Sequence, residues 1–547
     1  MKKTNRAAFG VVTATAVITM AAATTAYAAV PTDTSELREA VTADAIMGHL
    51  DDLQTIADAN GGTRASGTAG YDESIEHVQE VLTAAGYEVT RQDFLFNSFR
   101  ELSAPEFEQV SPNPTVYVPG VDFSTAEYSG SGDVTAPLEA VDLVLPPGAT
   151  ASTSNSGCEP EDFADFTAGN IALVQRGTCD FSVKAHNAAE AGAVGVIIFN
   201  EGQEGRTETL AATLGDQFSD DLPVVGTSFE IGNDLAALLE QGEVVIHLMT
   251  DTLIELDVPT SNLIAETPTG RDDRVVMAGA HLDSVPDGPG IEDNGTGSAT
   301  LLETALQIAE LGIEPRNTIR FAWWGAEEAG LVGSQYYVDS LTKSDAKDIE
   351  LYLNFDMIGS PNYGRFVYDG DGGAFGIKGP TGSANIERVF EEYFASQGLA
   401  SEPTAFDGRS DYDAFITAGI PAGGLFTGAE DVKTADQVVD YGGLATFEGE
   451  PVSYDPCYHQ PCDSMDPIGD GADADLYEAL NAAYGGALEY QGVITNINTL
   501  ALDEMADAVA HSVLTYAMST SSVNGTAKGS PVAAEKAGER LGSHFRR

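Results

Sequence analysis

Three short stretches of the chain set one imidazole and several carboxylates directly behind strand-like apolar runs. His281 and Asp283 follow the run at 274–280, and the loop after them carries Asp293. Glu327 and Glu328 follow the run at 318–324, and Asp356 follows 351–355. Further on, Tyr458 and His459 sit between Cys457 and Cys462. Imidazoles with carboxylates are the donor set of zinc and other borderline divalent ions. Two His and three carboxylates suffice for two ions sharing one ligand, about 3.5–4 Å apart and activating a common water. A lone His behind a strand is usually a hydrogen-bonded residue, and a Glu pair is usually a solvated face. Here the acids follow Trp323-Trp324-Gly325-Ala326, an apolar run. Without a cation such a cluster of acids would repel itself strongly.

The elements that must deliver these residues alternate from about residue 262 onward. The 274–280 strand is followed by a helix over 297–311 with Leu301, Leu302, Ala305, Ile308 and Ala309 on its inner side. A strand at 318–324, a helix at 331–340 and a strand at 351–355 come next. This order predicts an α/β fold, a mixed, mostly parallel sheet flanked by helices. Ligands in such sheets collect beyond the carboxyl ends of the strands. Upstream, apolar spacing predicts a helix over 35–60, a break at 61–68, a helix over 71–85 and a strand at 87–96. Between 97 and 256, prolines and glycines punctuate short apolar runs at 141–145, 171–175 and 194–200, with one helical stretch at 182–192. That reads as an inserted β-rich unit.

The 547 residues hold 26 Lys+Arg against 85 Asp+Glu, a net charge of −59, and 43% are hydrophobic. Large cores are affordable, and a surface this acidic repels nucleic-acid phosphate. Screening of so much like charge suggests a saline habitat. Lys2, Lys3 and Arg6, then a small apolar run and Ala26-Tyr27-Ala28, fit an export signal over residues 1–28. No later apolar stretch is long enough to span a membrane, so a secreted, extracellular protein is expected. Export makes disulfides likelier than zinc thiolates for Cys158, Cys179, Cys457 and Cys462. Three pairings are open, and proximity favours Cys158–Cys179 with Cys457–Cys462. The basic stretch at 519–547 reads as a flexible tail, trimmed after export.

The segments 280–305, 320–338, 353–362, 408–430 and 457–464, together with 61–71, resemble the M28 family of zinc aminopeptidases, nearest its secreted streptomycete members. The resemblance covers 35–96 and 262–492. It implies two zinc ions held by His281, Asp293, Glu328, Asp356 and His459, with Asp293 bridging. It further implies Glu327 as general base, Asp283 as the carboxylate orienting His281, and Tyr458 as oxyanion stabiliser. Met357, Arg409 and Phe426 fall in the family's pocket-forming segments and suggest an apolar first residue such as Leu. Residues 158–202 resemble a protease-associated (PA) domain, which implies a Cys158–Cys179 disulfide and a structural His186. The division expected is 35–96 and 257–500 for the peptidase, with 97–256 inserted. Close relatives also bind calcium, but Asp466, Asp470, Asp473 and Asp475 read as general acidity. Peptide or protein N-termini are the expected partners, and a monomer the expected state. Rival readings are a carboxypeptidase or dipeptidase on the same fold, for which Arg409 would have to hold a substrate carboxylate, and a non-catalytic PA-domain receptor.

Overall fold

The computed structural model describes residues 32–524. The export-signal reading and the tail beyond residue 524 lie outside them. The chain opens with three helices, α1 (Ser35–Ala40), α2 (Ala43–Ala59) and α3 (Ala69–Ala84). The single helix expected over 35–60 is thus two. Thr42 is extended, and its hydroxyl accepts from the Ala45 amide at 3.3 Å, starting a new helix as Thr does at an N-cap.

Two long strands follow, β1 (Glu88–Ser111) and, far downstream, β2 (Val245–Glu266). They pair antiparallel along most of their length, from Glu88↔Glu266 to Ser111↔Val245, with register shifts near Ser98 and Ser103. The strand expected at 87–96 is therefore longer, Glu88–Ser111. It resumes pairing at Ser98↔Glu255 after an irregularity at residue 97, where residues 256–257 of β2 are also left out of the register. Period-2 patterning fades in the middle, where Leu95, Leu102 and Leu256 are exposed, so the sequence there does not look like a buried strand.

The remaining elements are β3 (Val275–His281), α4 (Gly297–Glu310), β4 (Thr318–Trp324), α5 (Val332–Ser340), β5 (Ile349–Phe355), β6 (Ala422–Phe426) and α6 (Thr499–Met518). The sheet runs β6-β5-β3-β4-β2, with Phe366–Tyr368 and then Glu402–Thr404 beyond β6. β3 is parallel to β4 and β5, and β5 to β6, whereas β2 runs against β4. β3 and β5 are buried at every residue, as parallel strands covered on both faces must be. One core joins α2, α3, α4 and α6 to the sheet. A second, on the other face, stacks Tyr352 on Phe415 with ring centroids 3.8 Å apart, beside Trp324.

β2 also serves the insert. Its first residues pair antiparallel with Gly132–Ala140, which opens the inserted sheet of Ile171–Gln175, Gly195–Phe199 and Val224–Thr227. Besides the expected helix, found at Phe181–Glu190, the insert carries a second at Phe229–Leu239. Cys158 and Cys179 are bonded within it.

The tail reading needs one correction at its start. Residues 519–524 are packed on the fold: Val523 is buried, Thr520 Oγ1 donates to Glu350 Oε2 at 3.2 Å, and Asn524 Nδ2 donates to the Glu350 carbonyl at 2.7 Å.

Phe96 stands directly opposite Val258, so the insert can be removed between them and the ribbon closed with a two-residue turn. On the activity the resemblance implies, the shortened protein is expected to turn over a small aminoacyl amide at the rate of the full chain. A folded, metal-loaded deletion without that activity would show that the insert shapes the active site.

Candidate active site

The carboxyl ends of β3, β4 and β5 converge, as the sequence arrangement requires. β3 ends in His281. Its Nδ1–H donates to the Asp283 carbonyl at 3.0 Å, which leaves Nε2 as the free lone pair. That nitrogen lies 3.2 Å from Asp293 Oδ1 and 3.3 Å from Asp356 Oδ1. On the other side, His459 Nε2 lies 3.2 Å from Asp293 Oδ2 and 3.2 Å from Glu328 Oε2. Asp293 therefore stands between two imidazoles, one oxygen towards each, and each imidazole has a further carboxylate beside it.

Several of these atoms are satisfied by nothing the protein supplies. Glu328 Oε1, Asp356 Oδ1 and His459 Nε2 are shielded from solvent and make no hydrogen bond. Buried polar atoms are almost always paired, so donors crowded near 3.2 Å without bonding point to a shared occupant. His281, Asp293 and Glu328 can each place one donor atom within 4.8 Å of the others, as can His281, Glu327 and Asp356. Borderline divalent cations take this set of nitrogens and carboxylate oxygens, so the residues fit a metal pair.

The electrostatics say the same. Burial pushes the Glu328 carboxyl up to about 7, with Asp293 adding to the shift and His459 opposing it. Burial also pushes Glu327 well above the usual carboxylate range; His281 pulls it back, while Asp411, Glu328 and Asp356 push it further. Burial disfavours a charged His459 ring, yet the adjoining Glu328 and Asp293 raise it to about 11. Packed this closely, Glu327 and Glu328 are pushed towards their protonated forms and His459 towards its charged form, and metal binding at such groups is coupled to proton release.

The local backbone explains how neighbouring acids face different ways. Ala326 has a positive φ of 52°, which turns the chain sharply after β4. The Ala326 amide donates to Ser66 Oγ at 2.6 Å and the Glu327 amide to Asp283 Oδ1 at 3.3 Å. Asp283 thus acts differently from the expectation. Its carbonyl accepts the His281 Nδ1–H hydrogen bond; the nearest carboxylate oxygen is 3.7 Å from Nδ1 and accepts from the Glu327 amide, tying the β3 loop to the β4 turn.

Supporting residues come from unexpected places. Arg64, fully buried, donates to the carbonyls of Leu282, Pro289 (2.8 Å) and Gly290 (2.6 Å), which shapes the loop carrying Asp293. Ser410 Oγ donates to Asp356 Oδ2 at 2.5 Å. Asp463 accepts from the amides of Glu292 (2.8 Å) and Asp293 (3.0 Å), and the Asn496 amide bridges it to Asp455. The loop bearing Tyr458 and His459 is thereby held at both ends, besides being closed by the Cys457–Cys462 bond. Ser410 and Asp463 lie inside motifs quoted above for other residues, the one signal that could have found them.

Met357 directly follows Asp356 and is buried, its amide donating to Asn294 Oδ1 at 3.1 Å. Phe426 packs against Phe366, centroids 6.1 Å apart. Arg409 is committed: Nη1 donates to Glu430 Oε1 at 2.7 Å and Nη2 to the Tyr458 hydroxyl at 3.2 Å.

Comparison with known proteins places this geometry. Residues 262–483 match the model of peptidase family M28, and 134–235 match that of the PA domain. A protein of Pseudomonas aeruginosa named "Aminopeptidase" is 48% identical over 428 residues, covering 78% of this chain and 77% of its own. The chain belongs to peptidase family M28. "Leucine aminopeptidase 2" of Trichophyton tonsurans is another relative, 40% identical over 428 residues, 78% of this chain and 80% of its own. Among solved structures, an aminopeptidase from Aneurinibacillus sp. strain AM-1 superposes with a TM-score of 0.62 at 23% identity, covering 88% of this chain and 95% of its own. The zinc aminopeptidase BSAP from Bacillus subtilis gives 0.52 at 23%, covering 86% and 94%. As an M28 peptidase the chain is a hydrolase, an aminopeptidase, with a PA domain in its insert. Peptide N-termini are its substrates. Among the described residues no helix of this M28 chain is long and apolar enough to cross a membrane.

Reducing Cys457–Cys462 in the M28 site is expected to lower activity by on the order of 10-fold or more before the fold melts, because displacing a reacting group by about 1 Å can cost ~100-fold. Full activity after complete reduction, checked by thiol titration, would show the bond to be idle.

Proposed function

We propose that this protein is a secreted di-zinc aminopeptidase that removes N-terminal residues, Leu or another large apolar one, from peptides. The observation that carries the reading is Asp293 set between His281 and His459, each with a second carboxylate, Asp356 or Glu328, beside it. These five residues would hold the ions. When bound, a zinc pair supplies Lewis acidity, polarising a carbonyl and easing proton loss from water.

The chain's own groups then have distinct tasks. Glu327, beside the cluster with Oε2 3.9 Å from His281 Nε2, takes the proton of the attacking water and returns it to the leaving amine. Its burial, which raises its proton affinity, suits a group that must both accept and release a proton. The Tyr458 hydroxyl donates to the oxyanion that forms at the scissile carbonyl, positioned by Arg409 and by the stacking of its ring on His459. Met357 and Phe426 line the pocket for the first side chain, and the name of the Trichophyton relative supports leucine there. Asp283, through its carbonyl, fixes the His281 tautomer.

The Arg409–Glu430 pair weighs against a carboxypeptidase or dipeptidase, since the one arginine suited to a substrate carboxylate already has its own. The filled ligand set weighs against a receptor. We take 35–96 and 257–500 as the peptidase, 97–256 as a separate insert, the two disulfides as support for export, and the working state as a monomer. Calcium is left to titration.

The test is hydrolysis of Leu-p-nitroanilide beside its N-acetylated form, with zinc counted. Cleavage of the free-amine substrate alone, by protein holding two zinc ions, is expected. Cleavage of the blocked substrate, or none by the zinc-loaded protein, overturns the reading.

A further inference from the structure

A second set of metal donors lies away from the Asp293 centre, on the α2–α3 helix pair. His49 and Asp52 stand three residues apart on α2 and so share a face. His77 comes across from α3. One ring nitrogen from each His and one carboxylate oxygen of Asp52 lie within 4.8 Å of one another. His77 Nε2 is shielded from solvent and has no hydrogen-bond partner. Asp52 Oδ2 is 3.8 Å away from it, beyond hydrogen-bond reach. The nitrogen therefore points at an acid it does not touch, with room for a third party between them. His49 Nε2 lies 3.1 Å from Glu303 Oε2 on α4, so a carboxylate holds this imidazole, as is common for ligating ones.

Two imidazoles and one carboxylate make a three-ligand set of the zinc class, with water completing the tetrahedron. The Asp52 side chain is 58% exposed, so an ion can enter from solvent. We infer that His49, Asp52 and His77 form a peripheral site for a zinc-class divalent ion, separate from the catalytic centre, that clips α2 to α3. The loop joining these helices carries Arg64, which holds the carbonyls beside Asp293. The ion would steady that support without touching a reacting group.

The test equilibrates the full-length, zinc-loaded protein, His77→Ala and Asp52→Ala with the same zinc chloride solution and counts bound metal after desalting. Asp52→Ala alters an exposed side chain and guards against a folding failure at His77. Each variant is expected to hold one zinc fewer than the parent, to keep its turnover of Leu-p-nitroanilide, and to lose the rise in melting temperature that added zinc gives the parent. Equal zinc in parent and folded variants overturns the site and leaves an ordinary His–carboxylate pair. The readout is a difference between variants, so it stands whatever number of ions the Asp293 centre holds.

Discussion

Glu327→Gln is expected to lower kcat by ~10²–10⁴-fold, the usual worth of a general base, with zinc content close to that of the parent. Gln keeps the shape of the side chain but cannot take a proton. Glu328→Gln should behave differently and lose metal along with activity, because Glu328 Oε2 lies 3.2 Å from His459 Nε2, whereas Glu327 Oε2 is 3.9 Å from His281 Nε2. The contrast matters because Glu327 also lies within ligating range of His281 and Asp356. Zinc stoichiometry and kcat measured on both variants separate the roles. Zinc lost from Glu327→Gln and kept by Glu328→Gln would exchange them.

Asp293→Ala should be the most damaging change to metal content. Its two oxygens face two different imidazoles at 3.2 Å each, so under the proposed two-ion reading one truncation strips a ligand from both ions. Activity should fall well beyond the ~10–100-fold typical of residues that merely support a ligand. Ser410→Ala is the natural comparison. It removes the 2.5 Å bond to Asp356 Oδ2 and should weaken metal affinity within that ~10–100-fold range. If Asp293→Ala binds one equivalent as tightly as the parent and loses only the other, the carboxylate is not shared.

How much of this could be read beforehand depended on distance along the chain. The acids behind β3, β4 and β5 are legible because strand order alone brings their carboxyl ends together. The α4 and β4 bounds are likewise close to those expected, since their apolar periods are unbroken. Arg64, Asp463 and Asn496 were not legible. Their roles arise from contacts with carbonyls, amides and carboxylates more than thirty residues away, and a buried arginine looks the same in a sequence as a solvated one. A motif displays side chains, so the Asp283 carboxylate is what the sequence offers for orienting His281, whereas the 3.0 Å contact to Nδ1 is made by the Asp283 carbonyl. The break at Thr42 was missed because helical apolar spacing carries on across it. Its hydroxyl cap was present but had no proline or glycine to announce it.

The pairing of β1 with β2 has a consequence for biosynthesis. α2, α3 and β1 emerge first, but the strand that adjoins both β1 and β4 is made only after the whole insert. The early helices therefore have no sheet to pack on while the insert is being translated. The insert has its own disulfide and a buried core of its own, so it can become compact first. In doing so it draws the two ribbon arms together and replaces one long, entropically costly closure with a short one. The chain order thus puts the completion of the sheet that carries the His281, Glu327 and Asp356 loops after synthesis of the insert.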